Sequence, residues 1–298
     1  MKALSTISAL KGVNAAAITP LGKTGDINFG AVFELIDYLG SARVHGIALF
    51  TRWGEYPALA VDERARLTYL AAKRSRVPLL AGVGSATFDH SLELAREARS
   101  AGVAAILLPP PLAYRCDADD LAEFYLEFAA QLGTGTPLVL SGEIAPEIAS
   151  RLLASGRFAG IEDDSGSVES LECVSAVAGG AAVLAGDDRL LVHARSAGFG
   201  VLSAAACAAP ELTMTLDAVV RAGNGAAASQ LAAKLQELLS WLDRFPAPVG
   251  IKTAVAARGV PTGALPVPLS AGKQQCLEQF REWFKGWLPS TRNLTMHA

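Results

Sequence analysis

The chain has 298 residues, of which 51% are hydrophobic and 18% are charged, and its 26 Lys and Arg against 29 Asp and Glu give a net charge of -3. A chain of this length can bury a full hydrophobic core as one large domain or two smaller ones. The charge balance excludes the strongly basic surface that nucleic acids and anionic membranes require, so we expect neither as a partner.

The start of the chain and its cysteines predict a cytoplasmic protein. No stretch reaches the roughly 18 consecutive apolar residues of a membrane span. Lys11 and Asn14 interrupt the mildly apolar start, which argues against a signal peptide. The four cysteines lie far apart, without the spacing of a zinc site. We therefore expect reduced thiols, no structural metal and no cofactor.

Short, continuous apolar runs recur from the start of the chain to residue 204. They are rich in Val, Ile, Leu or Ala and do not alternate with polar residues, which is typical of strands buried on both faces of a parallel sheet. The predicted strands are 13–19, 46–50, 78–82, 104–108, 137–140, 160–162, 182–186 and 200–204.

Amphipathic segments lie between these runs. In the segment 29–41, Val32, Leu35 and Leu39 follow the three-to-four spacing of a helix. Acidic residues open the segment 61–74 and basic residues close it, as the helix dipole favours. The predicted helices are 29–41, 61–74, 89–101, 117–132, 145–154, 167–177 and 189–197.

Eight strands, most of them followed by a helix, predict an α/β fold of the (β/α)8 TIM barrel type. A doubly wound open sheet is the alternative, but residues 19–25 do not match its glycine-rich phosphate turn. Beyond Pro210 the sequence predicts only helices, at 211–222, 225–243, 249–257 and 273–287. We therefore predict a barrel over 1–210 and C-terminal helices over 211–298 that pack on it as one structural unit.

The active site of such a barrel lies at the C-terminal ends of its strands. In chain order, the segments there include AITP at 17–20, WGEYPAL at 53–59, AGVGS at 81–85, ILLPP at 106–110, GI at 160–161, GDD at 186–188 and GVLS at 200–203. Their order and spacing resemble the dihydrodipicolinate synthase / N-acetylneuraminate lyase family of class I aldolases over nearly the whole chain.

The resemblance implies a mechanism on small 2-keto acids. In that family a lysine at the end of the sixth strand forms a Schiff base, and the iminium accepts electrons while a carbon–carbon bond forms or breaks. A tyrosine at the end of the fifth strand shuttles the proton. Two threonines in the loop after the second strand hold the carboxylate. The resemblance also implies a homodimer or a homotetramer.

The sequence departs from the family pattern at each of these positions. Glu162 stands at the position of the lysine, and Ser141 stands at that of the tyrosine. Arg52 and Trp53, preceded by Thr51, replace the threonine pair. Because a carboxylate cannot condense with a ketone, we predict that class I aldolase chemistry is lost.

No other lysine is expected to replace the missing one. Lys23, in the first strand-to-helix loop, is the only one predicted at the C-terminal end of the barrel, and it lies in a glycine-flanked rim loop. Lys252 lies in a segment that resembles a family segment whose lysine does not form the Schiff base. The remaining lysines are predicted at the opposite end or in the C-terminal helices: Lys2, Lys11, Lys73, Lys234, Lys273 and Lys285.

Two hypotheses account for the replacements. In the first, Arg52 and Glu162 form a structural ion pair that fills a disused pocket, and Trp53 occupies the remaining volume. In the second, Arg52 binds a carboxylate or phosphate, and Glu162 is a general base with a raised pKa. Ser141 is the second catalytic candidate, and Leu202 joins Thr51, Arg52 and Trp53 as a ligand-binding candidate.

Other acidic residues at the strand ends suggest lesser roles. A metal site formed by Glu143, Glu162, Asp163 and Asp164 is a weaker alternative, because successive strand residues point to opposite faces. Glu55 is expected to accept backbone N–H groups of its own loop. Asp187 and Asp188 are expected to cap the helix that follows them.

Three functions stay open at this point. The first is a family lyase or synthase of small 2-keto acids whose class I chemistry is lost. The second is a non-catalytic protein that binds a small carboxylate on the same scaffold. The third is a lyase or dehydratase that uses Glu162 for acid–base chemistry without a Schiff base.

Overall fold

The computed structural model, which describes residues 10–265 and 267–297, contains a closed barrel of eight parallel strands arranged in chain order. β1 and β8 close the barrel through the pair Val13 and Val201. This architecture confirms the predicted (β/α)8 TIM barrel. The strands are β1 Val13–Ala16, β2 Gly46–Leu49, β3 Leu79–Gly82, β4 Ala105–Leu108, β5 Leu138–Ser141, β6 Gly160–Asp163, β7 Ala182–Ala185 and β8 Gly200–Ser203.

A helix follows each of the first seven strands, and local capping fixes several of their ends. The Asn28 side chain accepts from the Ala31 N–H at 3.1 Å and starts α1. Gly102, at a φ of 81°, ends α3 in the left-handed conformation that favours glycine. These helices are α1 Phe29–Ser41, α2 Val61–Arg74, α3 Phe88–Ala101, α4 Ala118–Leu132, α5 Pro146–Ala154, α6 Val168–Val177 and α7 Leu191–Ser196.

The predicted helix 189–197 is divided in the structure. The Asp187 side chain accepts from the Arg189 N–H at 2.7 Å, and this bond begins a short 3-10 turn over Asp188–Leu190. The α-helix α7 starts only after that turn, at Leu191.

In the part of the chain that the structure describes, five helices follow β8. They are α8 Ala205–Ala208, α9 Pro210–Arg221, α10 Gly225–Leu242, α11 Val249–Ala257 and α12 Ala271–His297. The fully buried α8 packs against β1 and α11, whereas α9 packs against α7 and α10. Aromatic rings of α10 and α12 pack against one another, with the Trp241 and Trp283 centroids 5.5 Å apart and their planes tilted by 32°. The C-terminal helices therefore rest on the side of the barrel that β8 and β1 form.

The interior of the barrel is filled by side chains from alternating strand positions. Small and medium apolar residues from neighbouring strands form this inner layer, including Ala16, Ala48, Leu80, Leu107, Val139, Leu184 and Leu202. A second and larger apolar layer lies between the strands and the surrounding helices. Because the inner layer fills the middle of the barrel, open space is left at the C-terminal mouth.

Three further predictions concern membrane spans, the cysteines and Lys2. Within residues 10–265 and 267–297, no helix is both long enough and apolar enough to cross a bilayer. All four cysteines are unpaired. Lys2 lies outside the described residues.

Candidate active site

A cavity of about 150 Å³ lies at the C-terminal mouth of the barrel. The loop after β2 and the ends of β5, β6, β7 and β8 form its walls. The structure brings all six sequence-predicted site residues together in its lining, namely Thr51, Arg52, Trp53, Ser141, Glu162 and Leu202. Their chemical roles stay predictions.

Glu162 is held at this cavity by its neighbours on β5. It pairs with Ser141 in the register of β5 and β6, and only 3% of its surface is exposed. The Ser141 hydroxyl donates to Glu162 Oε2 at 2.6 Å, and the Gly142 N–H donates to the same oxygen at 3.1 Å. Gly142 has a φ of 115°, in the region that favours glycine, so this residue suits the turn that places its amide beside the carboxylate.

Burial dominates the protonation of Glu162. It raises the pKa of this carboxyl above its ordinary value of 4.5. The hydrogen bond from Ser141, the positive charge of Arg52 and the hydrogen bond from Gly142 act in the opposite direction, whereas the charge of Asp163 raises the pKa further. A carboxyl in such surroundings can exchange a proton nearer to neutral pH than an exposed glutamate can.

Arg52 forms its ion pair with Asp164 and not with Glu162. Arg52 Nη1 lies 2.8 Å from Asp164 Oδ2, and its guanidinium lies 5.0 Å from the centre of the Trp53 ring. The predicted ion pair between Arg52 and Glu162 is therefore wrong. Glu162 lies within β6 and is held by β5, whereas Asp164 lies beyond the end of β6, at the level of the loop that carries Arg52.

Asp164 and Glu162 approach each other across Gly186. A Cβ atom at Gly186 would lie 2.0 Å from Glu162 Oε1 and 2.8 Å from Asp164 Oδ1, so only glycine leaves room for both carboxyl groups as they stand. Asp164 Oδ1 is buried without a hydrogen-bond partner among the described residues. The end of β7 thus lets two acidic side chains face the same space.

The proximity of Glu162 and Asp164 changes the pKa of Asp164. Burial, followed by the negative charge of Glu162, raises this pKa from 3.8 to about 7. Arg52 opposes the rise, and Asp187 and Asp163 add to it. Near neutral pH, Asp164 therefore exists in both its neutral and its ionised form.

No lysine of the described residues lines the cavity. The Lys252 side chain is completely buried and forms an ion pair with Glu55. Burial lowers the pKa of Lys252 and raises that of Glu55, while the contact between them opposes both changes. The expectation that Glu55 accepts N–H groups of its own loop is wrong, because its carboxylate faces Lys252 of α11. Lys23 is exposed in the loop between β1 and α1.

The two acidic residues after β7 have different roles. Asp187 caps the 3-10 turn that follows it, as expected. Asp188 instead accepts from the Ser203 hydroxyl and from the Ala205 N–H, the latter at 2.8 Å, so it caps α8 and not the next helix. Burial raises the pKa of Asp188 to about 6.

The metal alternative is not supported by the side-chain arrangement. In the described ranges, no three His, Cys, Asp or Glu side chains converge as metal ligands would. Glu143 is exposed. Asp163 points away from Glu162 and accepts from the N–H and the hydroxyl of Ser165 at 3.2 and 2.9 Å.

Sequence reasoning missed Asp164 as the partner of Arg52 and Gly186 as the residue that makes room for both acids. The alternation of side chains along a strand could have indicated Asp164, because positions two apart share a face. Nothing in the sequence alone indicates that the space beside Gly186 is occupied by two carboxyl groups.

Comparisons with known proteins give a consistent result. The model of the Dihydrodipicolinate synthetase family matches residues 9–285. The chain is 29% identical over 269 residues to the 4-hydroxy-tetrahydrodipicolinate synthase of Bacillus subtilis, which covers 86% of this chain and 92% of that protein.

Two solved structures extend the comparison. The structure of the 4-hydroxy-tetrahydrodipicolinate synthase of Methylacidiphilum fumariolicum SolV has a TM-score of 0.85 at 28% identity and covers 95% of this chain and 98% of its own. The sialic acid aldolase of Ruminococcus gnavus has a TM-score of 0.86 and covers 95% and 99%, but at 20% identity this likeness shows the fold alone.

Proposed function

The chain belongs to the dihydrodipicolinate synthetase family, and we propose that it handles a small carboxylate at the barrel mouth through acid–base chemistry and not through a Schiff base. The observation that carries this proposal is the position of Glu162. The resemblance implies a lysine amine at this position, whereas Ser141 and Gly142 hold the carboxyl group of Glu162 in the cavity lining.

The absence of an amine at the site argues against class I chemistry. A Schiff base requires a lysine nitrogen within bonding distance of the substrate carbonyl. Among the described residues, Lys252 is the only buried lysine beside the loop after β2. Its ammonium group forms an ion pair with Glu55.

The two carboxyl groups provide a proton donor and a proton acceptor. General acid–base catalysis is most efficient when the pKa of the group lies near the working pH. Asp164, with a pKa of about 7, meets this condition. Glu162 receives two hydrogen bonds that favour its ionised form. We therefore assign proton abstraction to Glu162 and proton donation to Asp164, as in an elimination or a dehydration.

Arg52 provides the binding group for the substrate carboxylate. Its guanidinium has five N–H donors, of which the contact with Asp164 uses one side. Its side chain is 47% exposed and also lines the cavity. A carboxylate bound there would lie within reach of both acids.

A second candidate function is binding without turnover. The ion pair between Arg52 and Asp164 already neutralises the charge at the mouth, and Trp53 reduces the free volume to about 150 Å³. A ligand-binding protein would keep these features without needing the proton transfer.

The experiment that separates these functions combines three measurements on the intact chain. Thermal shift with pyruvate, keto-sugar acids and dicarboxylates finds ligands. NMR in D2O follows exchange of the acidic C–H protons, which lie next to the ketone in a 2-keto acid and next to a carboxylate in a dicarboxylate, and borohydride with pyruvate traps any imine. Our proposal expects stabilisation, exchange that Glu162→Gln abolishes, and no adduct. Stabilisation without exchange would favour the binding function, and a reduced lysine adduct in the wild type would overturn both.

We further propose that the protein is a cytoplasmic homodimer or homotetramer. The loop after β4 exposes Leu112 and Tyr114, which are 51% and 70% accessible, and apolar groups of this kind are suited to contact with a second copy. The four free cysteines agree with a reducing compartment. Light scattering should give a mass two or four times that of the chain, and a monomer would contradict the assembly.

A further inference from the structure

Among the described residues, the lining of the cavity contains two acids, Glu162 and Asp164, and one cation, Arg52. Arg52 engages Oδ2 of Asp164, which leaves Oδ1 of the same residue buried and without a hydrogen-bond partner in the described part of the chain. Glu162 Oε2 takes the bonds from Ser141 and Gly142, while Oε1 faces the space beside Gly186. Both carboxylate oxygens therefore lie close to the same point beside Gly186, and no hydrogen bond from a cation of the described residues reaches either of them.

An electron-rich ligand group is disfavoured in that space. The carbonyl oxygen of a keto acid accepts hydrogen bonds, and beside two carboxylates it would meet only other acceptors unless one acid carried a proton. A primary ammonium group has three donors and a positive charge, so it can bind both oxygens at once. The site is therefore complementary to a ligand that brings its own amine.

We propose that the site binds a small α-amino acid, with its ammonium group between Glu162 Oε1 and Asp164 Oδ1 and its carboxylate on Arg52. This inference rests on the proposed function, because it specifies which small carboxylate the cavity accepts. It also explains why an acid stands at Glu162, where the resemblance implies a lysine. The amino group in the cavity is then supplied by the ligand and not by the protein.

The cavity restricts the size of the side chain. Its volume of about 150 Å³ suits an amino acid with a short side chain. Leu107, Pro109 and Leu202 form apolar parts of the wall, against which a methyl or methylene group can pack. We infer a ligand of the size of alanine or serine.

Binding of an ammonium group depends on the ionisation of the acids around it. The charged groups that act on Asp164 are Glu162 of β6, Asp187 after β7, Arg52 of the loop after β2, and Asp163, whose side chain points away from Glu162. Because the pKa of Asp164 is about 7, the affinity for an ammonium ligand should rise as the pH increases through that value and level off above it, where Asp164 is fully ionised.

The test compares ligands that differ only at the carbon next to the carboxylate. Calorimetry at pH 8 with L-alanine, pyruvate and lactate isolates the contribution of the amino group. We expect L-alanine to bind at least about tenfold more tightly than the other two, a difference of about 1.4 kcal/mol. The preference should fall by a similar factor in Glu162→Gln and in Asp164→Asn, each checked for native circular dichroism.

Glu143→Gln is the matched control, since it removes an exposed carboxylate two residues beyond Ser141. It should keep the preference for L-alanine. Pyruvate or lactate binding as tightly as L-alanine would overturn the amino-acid inference and leave the proposed function standing. If none of the three bound, both the inference and the proposed carboxylate site would be overturned.

Discussion

Ser141 and Glu162 are linked through both their backbones and their side chains. Their Cα atoms pair in the register of β5 and β6, and the serine hydroxyl donates to the glutamate carboxylate at 2.6 Å. Hydrogen bonds to an ionised group are stronger than those between neutral groups. The small side chain of Ser141 lets the carboxylate lie against β5 while its second oxygen faces Gly186. Ser141 on β5 thus fixes the position in which Glu162 of β6 presents its carboxylate to the mouth of the barrel.

Replacing Glu162 by lysine should allow the protein to form an imine with a keto acid. The new amine would extend into the cavity from the end of β6, and Asp164 nearby could accept a proton from it. We expect mass spectrometry to detect a reduced pyruvate adduct on residue 162 after borohydride treatment of Glu162→Lys. Wild type and Glu162→Met should remain unmodified there. A folded Glu162→Lys protein without an adduct would show that position 162 does not reach a bound keto acid.

Asp164→Asn should make the protein more stable at high pH. The pKa of Asp164 is raised from 3.8 to about 7 in the folded chain, so the folded state binds this proton more tightly than the unfolded state does. The resulting stabilisation is complete below about pH 4 and is lost as the pH rises through 7. Since each pKa unit corresponds to about 1.4 kcal/mol, we expect Asp164→Asn to raise the free energy of unfolding by roughly 2–4 kcal/mol at pH 8.

Urea unfolding at pH 4, 6 and 8 measures this effect, and Asp119→Asn is the control. Asp119 also pairs with an arginine, Arg151, but its side chain is 90% exposed, so its removal should change the stability little at any of these pH values. An Asp164→Asn variant that gained no stability over wild type between pH 4 and 8 would contradict the raised pKa.

Much of the fold could be predicted because burial leaves a strong pattern in the sequence. The helices at 29–41, 61–74 and 249–257 have the predicted bounds, since apolar periodicity and end residues agree there. The run 13–19 is longer than β1, which ends at Ala16. Ala17 and Ile18 are buried although they lie beyond the strand, so apolar character alone could not mark its end.

The contacts within the site were harder to predict. They depend on how far along the barrel axis each side chain lies, as well as on the direction in which it points. Strand ends in a barrel meet at one mouth, which is why Arg52, Ser141 and Glu162 could be placed together from the sequence. Whether Arg52 meets the acid at 162 or that at 164 depends on the path of its loop, and no pattern encodes that path. The contact between Glu55 and Lys252 joins residues almost 200 positions apart, and it too becomes visible only in the folded chain.

The ion pair of Glu55 and Lys252 should make a large contribution to stability when one partner is removed. The exposed fraction is 0% for the Lys252 side chain and 7% for that of Glu55, so each single substitution leaves a charge in a nearly dry environment. We expect Lys252→Met to lower the free energy of unfolding by about 3–5 kcal/mol. Glu55→Gln should have an effect of similar size for the same reason.

The double variant Lys252→Met with Glu55→Gln distinguishes a charge effect from a packing effect. If the cost comes from an unpaired charge, the double variant should recover about 2 kcal/mol or more relative to the sum of the single changes in urea unfolding. Strictly additive losses would instead indicate that the two side chains contribute independently. Borohydride trapping of Lys252→Met should match wild type, because Lys252 does not line the cavity.

Gly186→Ala should block the site while leaving the fold intact. The φ of Gly186 lies outside the left-handed region, so alanine can adopt the same backbone conformation. Its methyl carbon would lie 2.0 Å from Glu162 Oε1 and 2.8 Å from Asp164 Oδ1, which are ends of side chains that can move. It would also lie 3.1 Å from Asp164 Cα, a tight contact that a small shift of the backbone relieves. The two carboxyl groups should therefore separate, and the space for an ammonium group should close.

For Gly186→Ala, we expect L-alanine binding to weaken at least about tenfold, or 1.4 kcal/mol, by calorimetry. The melting temperature should stay close to that of wild type. Gly40→Ala is the matched control, because a Cβ there meets no atom within 4 Å other than those of the neighbouring helix backbone, and it should leave binding unchanged. Normal L-alanine binding by a folded Gly186→Ala protein would mean that the ligand does not occupy the space between Glu162 and Asp164.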